Sequence, residues 1–311
     1  MNDSDRKIIL VTRTTRLQEL VARYNTVEQA RFQAEHLGMD FADFLEEDRI
    51  YHAAILKVES GLTQHGRLQR LDRQFLPNFL FPPQCLVVVL GQDGLVANTL
   101  KYLKGQVLLG INPDPARFDG VLLPFSTDDF SKVMPEVLRG KRPVRDITMA
   151  RARLNDGQEL LAVNDLFIGM RNHVSARYEL DFGKQHERQS SSGIIVSTGL
   201  GSTGWLRSVL TGAVALAGGK SNQRMQSLRE KGFSWEAEKL VFSVREPFPS
   251  RASQASMIFG EIENGNALRV RSQMPEGGII FSDGMAADGL EFRSGLEACI
   301  SIAEQRGHLL H

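Results

Sequence analysis

Apolar positions in the first half of the chain gather into short unbroken runs separated by amphipathic stretches. Residues 7–11, 86–90 and 107–111 are such runs, and each reads as a strand. The second and third show no alternation, the pattern of strands buried on both faces in a parallel sheet. Between them, Gly91-Gln92-Asp93-Gly94 forms a tight turn and residues 95–103 carry a helical pattern. Strand, turn, helix, strand is one βαβ unit, and its turn lies at the carboxyl end of a strand, where open α/β sheets take ligands. Residues 17–48 read as helical, with Leu17, Leu20, Val21, Tyr24, Phe41, Phe44 and Leu45 opposite a solvated Glu/Arg face. Residues 51–71 continue as amphipathic helix and connector, and 127–138 as a helix capped by Ser126 or Thr127.

The period changes after Lys141-Arg142-Pro143, which marks a boundary. Short alternating runs follow, separated by turns: 144–154, then Asn155-Asp156-Gly157 as a hairpin signal, then 159–163, 167–169, 177–182, 193–197, 239–244, 267–270 and 278–281. One helix, 205–217, interrupts this β-rich half, and residues 185–192 read as a polar loop.

Four stretches offer chemistry. Gly91-Gln92-Asp93-Gly94 is an ordinary Asp-Gly turn by composition. Its place between a buried strand and a helix makes it a phosphate-binding candidate, through backbone N–H groups. Thr14-Thr15-Arg16 follows the first strand and reads either as a capped helix start or as a phosphate contact. Asn164-Asp165 interrupts apolar strand material, marking either a turn or bulge, or a carboxamide and carboxylate placed for a base edge and a ribose diol. Residues 193–205 repeat the order strand, glycine turn, helix. They contain a literal GxGxxG at Gly199, Gly201 and Gly204, but no acidic residue ends a following strand about 20 residues on, so a dehydrogenase fingerprint fails. Gly219-Lys220-Ser221 misses a P-loop because the first glycine falls on Val214. What remains is a second anion-friendly turn with hydroxyls from Ser197, Thr198, Ser202 and Thr203. Two glycine turns and an Asx pair suggest a site for phosphates and a nucleoside between two domains.

Composition narrows the class. A chain of 311 residues suggests about two domains. Lys+Arg and Asp+Glu both number 37, so no global basic field points to nucleic acid or an anionic membrane. Cys85 and Cys299 are the only cysteines and read as packed thiols; no CxxC or HExxH occurs, and the histidines are scattered, which argues against a structural metal. No apolar run approaches the ~20 residues of a membrane span. The polar leader before residue 7 fits neither a signal nor a transit peptide, so the expectation is a cytoplasmic protein.

Taken in order and spacing, Gly91-Gln92-Asp93-Gly94, Asn164-Asp165 and Thr198-Gly199-Leu200-Gly201-Ser202-Thr203 resemble the GGDG, NE and TGTGS-type motifs of NAD kinases. The mitochondrial-type branch is most similar, through Thr14-Thr15-Arg16, Ile111-Asn112-Pro113-Asp114-Pro115, Leu166 to Gly169, Ser175-Ala176-Arg177-Tyr178, Ser191-Ser192-Gly193, Phe242 to Pro247 and Asp283-Gly284. The resemblance spans about residues 8–298. It implies a Rossmann-like α/β domain over 1–143, rejoined by 293–311, and a β-sandwich domain over 144–292. It implies a kinase that transfers the γ-phosphoryl of ATP, with Mg²⁺, to the adenosine ribose 2′-hydroxyl of NAD. In that reading Asp93 is the catalytic residue. Gly91, Gln92, Gly94, Asn164, Asp165, Thr198, Gly199, Gly201, Ser202 and Thr203 bind the substrates. A homo-oligomer is implied, with a dimer favoured, and neither nucleic acid nor membrane as partner. Three positions depart from the pattern. Gln92 replaces a glycine and would be strained if that position needs a positive φ. Asp165 replaces glutamate, and Thr203-Gly204 replaces a lysine- or threonine-alanine pair. Gln92 keeps open a non-catalytic nucleotide binder, and the shared loop keeps open a related kinase of a lipid or sugar hydroxyl.

Overall fold

The computed structural model describes residues 6–311; residues 1–5 of the leader lie outside the described residues. The chain divides into two units, one running through Arg145 and rejoined by His308–His311, the other spanning Asp146–Gly307.

The first unit is built on the apolar runs. It comprises β1 (Lys7–Thr12), α1 (Arg16–Tyr24), α2 (Val27–His36), α3 (Phe41–Leu62), β2 (Arg67–Asp72), β3 (Leu86–Leu90), α4 (Asp93–Leu100), β4 (Val107–Asn112), β5 (Phe125–Ser126) and α5 (Phe130–Leu138). The strands pair in parallel in the order β2-β1-β3-β4, and β4 also takes β5 and residues 308–309 as parallel neighbours. Every residue of β3 is buried, as a strand covered on both faces requires. Alternate residues Ile8, Leu10, Val88, Leu90, Leu109 and Ile111 face one core with Tyr51, Ile55, Val58 and Leu62 of α3 and Phe130, Val133 and Met134 of α5. Each such buried side chain contributes about 1.5–3 kcal/mol relative to exposure.

The helical stretch 17–48 is divided among three helices. Asn25, at φ 71, ends α1, and Thr26 caps α2 by accepting from the Gln29 N–H at 3.2 Å. Gly38 turns the chain at φ 72, and Asp40 caps α3 by accepting from the Ala42 N–H at 3.0 Å. Helix α3 stops at Leu62, and residues 67–72, expected as connector, form β2. This edge strand is mostly exposed, so its RLQRLD sequence lacks the apolar run that marks its neighbours. Helix α5 starts at Phe130; Ser126 instead donates its N–H and hydroxyl to Asp129 Oδ2 at 2.9 and 2.6 Å, closing the turn ahead of it.

The second unit holds β6 (Val144–Leu154, entering from the first), β7 (Glu159–Ala162), β8 (Asp165–Met170), β9 (Ala176–Phe182), β10 (Gln185–Ser191), β11 (Ile194–Ser197), α6 (Trp205–Leu216), α7 (Gln223–Lys231), β12 (Lys239–Val244), β13 (Phe259–Glu263), β14 (Leu268–Ser272), β15 (Gly278–Ser282), β16 (Met285–Glu291) and β17 (Glu297–Leu310). One antiparallel sheet runs β13-β12-β11-β8-β15-β16; in the other, β10, β9, β14 and β17 lie in order, with β6 beside β17 and β7 beside β6. Inward residues of both meet in one core, among them Leu166, Ile168, Val196 and Phe242 from the first and Ala150, Tyr178, Leu180, Val270 and Ile300 from the second. This is the β-rich half that the alternating pattern anticipates, arranged as the sandwich that the family resemblance implies.

Three expectations fail here. Residues 185–191 are a strand, not a loop. Their inward residues Glu187, Gln189 and Ser191 are polar but hydrogen-bonded, with Glu187 accepting from the Ser256 hydroxyl, the Met257 N–H at 3.1 Å and the Gln189 amide at 2.8 Å. Helix α7 joins α6 as a second helix of this half. Residues 293–307 stay with the second unit, because Glu297 to Ile300 pair antiparallel with β14, and only the last residues of β17 pair with β4. Cys85 is buried as expected, while Cys299 is half-buried.

Gly110, within β4, lies so close to the Leu122 backbone carbonyl that a Cβ would overlap its oxygen. We expect Gly110→Ala to destabilise the first unit by about 1–3 kcal/mol. A lowered first transition in thermal denaturation checks this, and an unchanged transition would contradict it.

Candidate functional site

In the first unit, the turn after β3 is shaped by backbone demands. Gly91 leaves the strand with its N–H on Ile111 O at 3.2 Å, and a Cβ there would sit 2.8 Å from Leu95 Cδ2. Gln92 is the N-cap of α4, at φ −121 and ψ 163, and its carbonyl accepts from the Leu95 N–H at 2.8 Å. This is extended backbone that any residue adopts, so the expected strain at Gln92 is absent. Gly94 has no atom within 4 Å of where a Cβ would stand, and a larger residue fits there. Asp93 is the first residue of α4, where the helix dipole favours an acid. Its carboxylate accepts from the Leu122 N–H at 2.7 Å and from the Val121 N–H at 3.3 Å, which ties the turn to the loop after β4.

Thr14-Thr15-Arg16 proves to be a capped helix start. Thr15 caps α1 in a reciprocal box with Gln18, and its hydroxyl donates to Asp48 at 2.5 Å. Arg16 pairs with Glu47 and, at 2.6 Å, with Asp43; Arg13 pairs with Glu47 at 2.7 Å, and Arg117 with Asp43 at 2.6 Å. The hydrogen bonds from Arg117 and Arg16 hold the Asp43 carboxyl far below the usual carboxylate range. Tyr51, singled out only as helix material by its spacing, links two of these loops. Its buried hydroxyl donates to Leu90 O at 2.8 Å, just before Gly91, and accepts from the Arg13 N–H at 2.9 Å. Burial pushes its pKa up to about 12, so it stays a donor.

In the second unit, Asn164, Asp165 and the glycine turn come together. The Thr198 hydroxyl donates to Val163 O at 2.6 Å and accepts from the Gly201 N–H at 3.2 Å, while the Thr198 N–H donates to Asn164 O at 2.9 Å. Gly201 packs directly on the Asn164 carbonyl, and Gly199 on that of Ser234; at both positions a Cβ would overlap backbone. The Ser202 hydroxyl donates to Gly199 O at 2.6 Å and accepts from the Phe233 N–H at 3.1 Å. The expected row of anion-binding hydroxyls is therefore corrected: Ser197, Thr198 and Ser202 are buried and bonded to backbone, and only Thr203 is exposed. These side chains hold the shape of the turn.

The Asn164-Asp165 pair sits where β7 gives way to β8, so the turn and site readings are both satisfied by one break. A residue given no role from sequence controls this break. Asp283, in the turn between β15 and β16, accepts from the N–H groups of Val163 at 3.0 Å, Asn164 at 2.7 Å and Asp165 at 3.2 Å. Asp165 Oδ1 is enclosed and without a hydrogen-bond partner. Burial raises the Asp165 carboxyl to about 7; the Ser197 hydroxyl opposes the shift and the charge of Asp283 adds to it. A buried, unsatisfied carboxylate oxygen beside a half-buried carboxamide is an arrangement that accepts hydroxyl or amide donors from a ligand. Trp205 stacks on Phe167 at 5.7 Å, with the Arg245 guanidinium over its ring at 5.5 Å, at the start of α6. Asp93 and its neighbours lie on the first unit, and the Asn164, Asp165 and Thr198 to Thr203 group on the second.

No protein-family model matches the chain. It is 25% identical to human "NAD kinase 2, mitochondrial" over 80% of this chain and 72% of that protein. Its fold is similar to that of an NAD kinase from Archaeoglobus fulgidus solved with ATP, with a TM-score of 0.55, 17% identity, and coverage of 98% of this chain and 93% of the other. It is also similar to yeast NADH kinase solved with NADH, with a TM-score of 0.58, 15% identity, and coverage of 99% and 84%. Among the described residues no helix is long and apolar enough to cross a membrane. The two-unit architecture, the order of the three loop motifs and this likeness in sequence all agree in making the chain similar to NAD kinases.

Proposed function

We propose that this protein phosphorylates NAD, transferring the γ-phosphoryl group of ATP to the 2′-hydroxyl of the adenosine ribose to form NADP. The observation that carries the reading is the enclosed, unpartnered Oδ1 of Asp165 beside Asn164, an acceptor pair matched to the diol and amide donors of a dinucleotide. The similarity to NAD and NADH kinases supports the same substrate class. Because Gln92 adopts extended backbone, strain at that residue gives no ground for a non-catalytic binder.

Phosphoryl transfer runs through a loose transition state, so the protein chiefly positions reactants and stabilises charge. The ribose oxygen bonds to the γ-phosphorus as the bond to the ADP oxygen breaks, and the hydroxyl proton passes to a carboxylate. Asp93 is that carboxylate in this reading. Its two backbone hydrogen bonds use part of its acceptor capacity and fix its orientation, leaving lone pairs for a hydroxyl. The Asp93 carboxylate would also suit Mg²⁺ brought with ATP, whose charge would offset that of the phosphates. Asn164 and Asp165 bind the dinucleotide, while Thr198, Gly199, Gly201 and Ser202 keep that loop in place and Thr203 is the exposed hydroxyl of the turn. The family resemblance supports a homo-oligomer, with a dimer favoured.

The primary test is NADP formation from NAD with ATP and Mg²⁺. Asp93→Asn should lower kcat by about 10²–10⁴-fold while the thermal transition is kept, and near-wild-type turnover in that variant would sink the assignment of Asp93. For Asp165 the direction with pH follows from its raised pKa of about 7. The ionised form is the better acceptor, so KM for NAD should rise as pH falls below about 7, and the profile should flatten in Asp165→Asn. The stability effect has the opposite sense. Because the folded state holds this proton more tightly than the unfolded chain, Asp165 makes the protein less stable as pH rises from about 4 to 7. Asp165→Asn should lose that decline, as thermal melts across this range would show.

A further inference from the structure

Asp283 sits in the two-residue turn between β15 and β16 with φ 52, in the left-handed region that only Asn, Asp and Gly visit with ease. Such a conformation is unfavourable for a non-glycine residue, and glycine follows at Gly284, so a more permissive residue was within reach. What the aspartate supplies is its carboxylate. Oδ2 accepts from Val163 and Oδ1 from Asn164 and Asp165, three consecutive N–H groups at the break between β7 and β8. The Asp283 N–H returns a bond to Asp165 O at 3.0 Å, so both strand ends are locked to each other. Successive N–H groups converging on one anion form a nest. Here the anion belongs to the chain, and the residues whose backbone it gathers carry the two proposed dinucleotide-binding side chains.

We infer that Asp283 is a positioning residue of the dinucleotide site, aiming the Asn164 carboxamide and the Asp165 carboxylate through their own backbone N–H groups. The inference rests on the NAD kinase reading. Its second effect is electrostatic. Asp283, from the turn after β15, acts on Asp165 through its charge, and Ser197, on β11, supplies a hydrogen bond. A merely structural clamp affects stability alone. A positioning carboxylate also sets how tightly NAD binds and at which pH that binding is lost.

The test is calorimetric titration of NAD, and separately of ATP with Mg²⁺, into the wild-type protein and Asp283→Asn from pH 6 to 8.5. Asparagine tolerates the left-handed backbone and keeps one acceptor oxygen. Asp283→Gly serves as the second variant, since glycine takes the same backbone without strain. We expect NAD affinity to fall about tenfold at pH 8, ATP affinity to stay within twofold, and the midpoint of the pH dependence of NAD binding to move to lower pH. A folded variant with wild-type NAD affinity and an unmoved midpoint overturns the inference, as does failure of both variants to fold, which would make Asp283 a determinant of the fold only. If the wild-type protein itself binds no NAD, the NAD kinase reading fails first and takes this inference with it.

Discussion

Backbone N–H groups that leave a strand at an enclosed loop must find an acceptor, and in this protein two aspartates meet that demand. Asp93 takes the N–H groups of Val121 and Leu122; Asp283 takes those of Val163, Asn164 and Asp165. In each unit a carboxylate from one loop thus fixes the path of another loop distant in sequence. The pattern explains why loops without regular structure hold defined shapes here. A hydrogen bond to an ionised acceptor is stronger than a neutral one, so a single side chain does what a length of strand pairing does elsewhere.

The glycines complete these loops by absence of volume. Gly110, Gly199 and Gly201 each lie against another segment's carbonyl, where any side chain would collide. Gly94 does not, although it belongs to the most conspicuous motif. Close backbone approach and motif membership are thus separate properties, set apart by the folded path of the chain.

Much of the architecture was legible in the sequence. Unbroken apolar runs announce β3 and β4 because those strands are covered on both faces, and alternation announces many strands of the second unit because its sheets have one dry face, while their stacking as a sandwich came from the family resemblance. Asp93 and the Asn164-Asp165 pair were visible because polar residues stood at the ends of apolar strands. Polar strands were not legible: β2 is an exposed edge, and β10 buries Glu187 and Gln189 on hydrogen bonds that come from a segment nearly 70 positions away. The orientation of the hydroxyls in the 197–203 turn was equally hidden, since Thr198 and Ser202 face backbone contributed by residues 163 and 233. Asp283 escaped a role for the same reason. Its partners lie about 120 positions upstream, beyond the reach of any local pattern.

The fourteen residues of β17 begin in the sheet of the second unit, against β14, and end beside β4 in the first. A ribosome releases the chain from its N-terminal end, so the parallel sheet of the first unit emerges early, with β5 beside Ile111 and Asn112, but Val107 and Leu108 lack their outer neighbour until residues 308 and 309 appear. During synthesis the amino end of this β4 edge must therefore wait for the entire sandwich to be made. The unit that starts first is closed last, and the sandwich is threaded into the birth order of its companion.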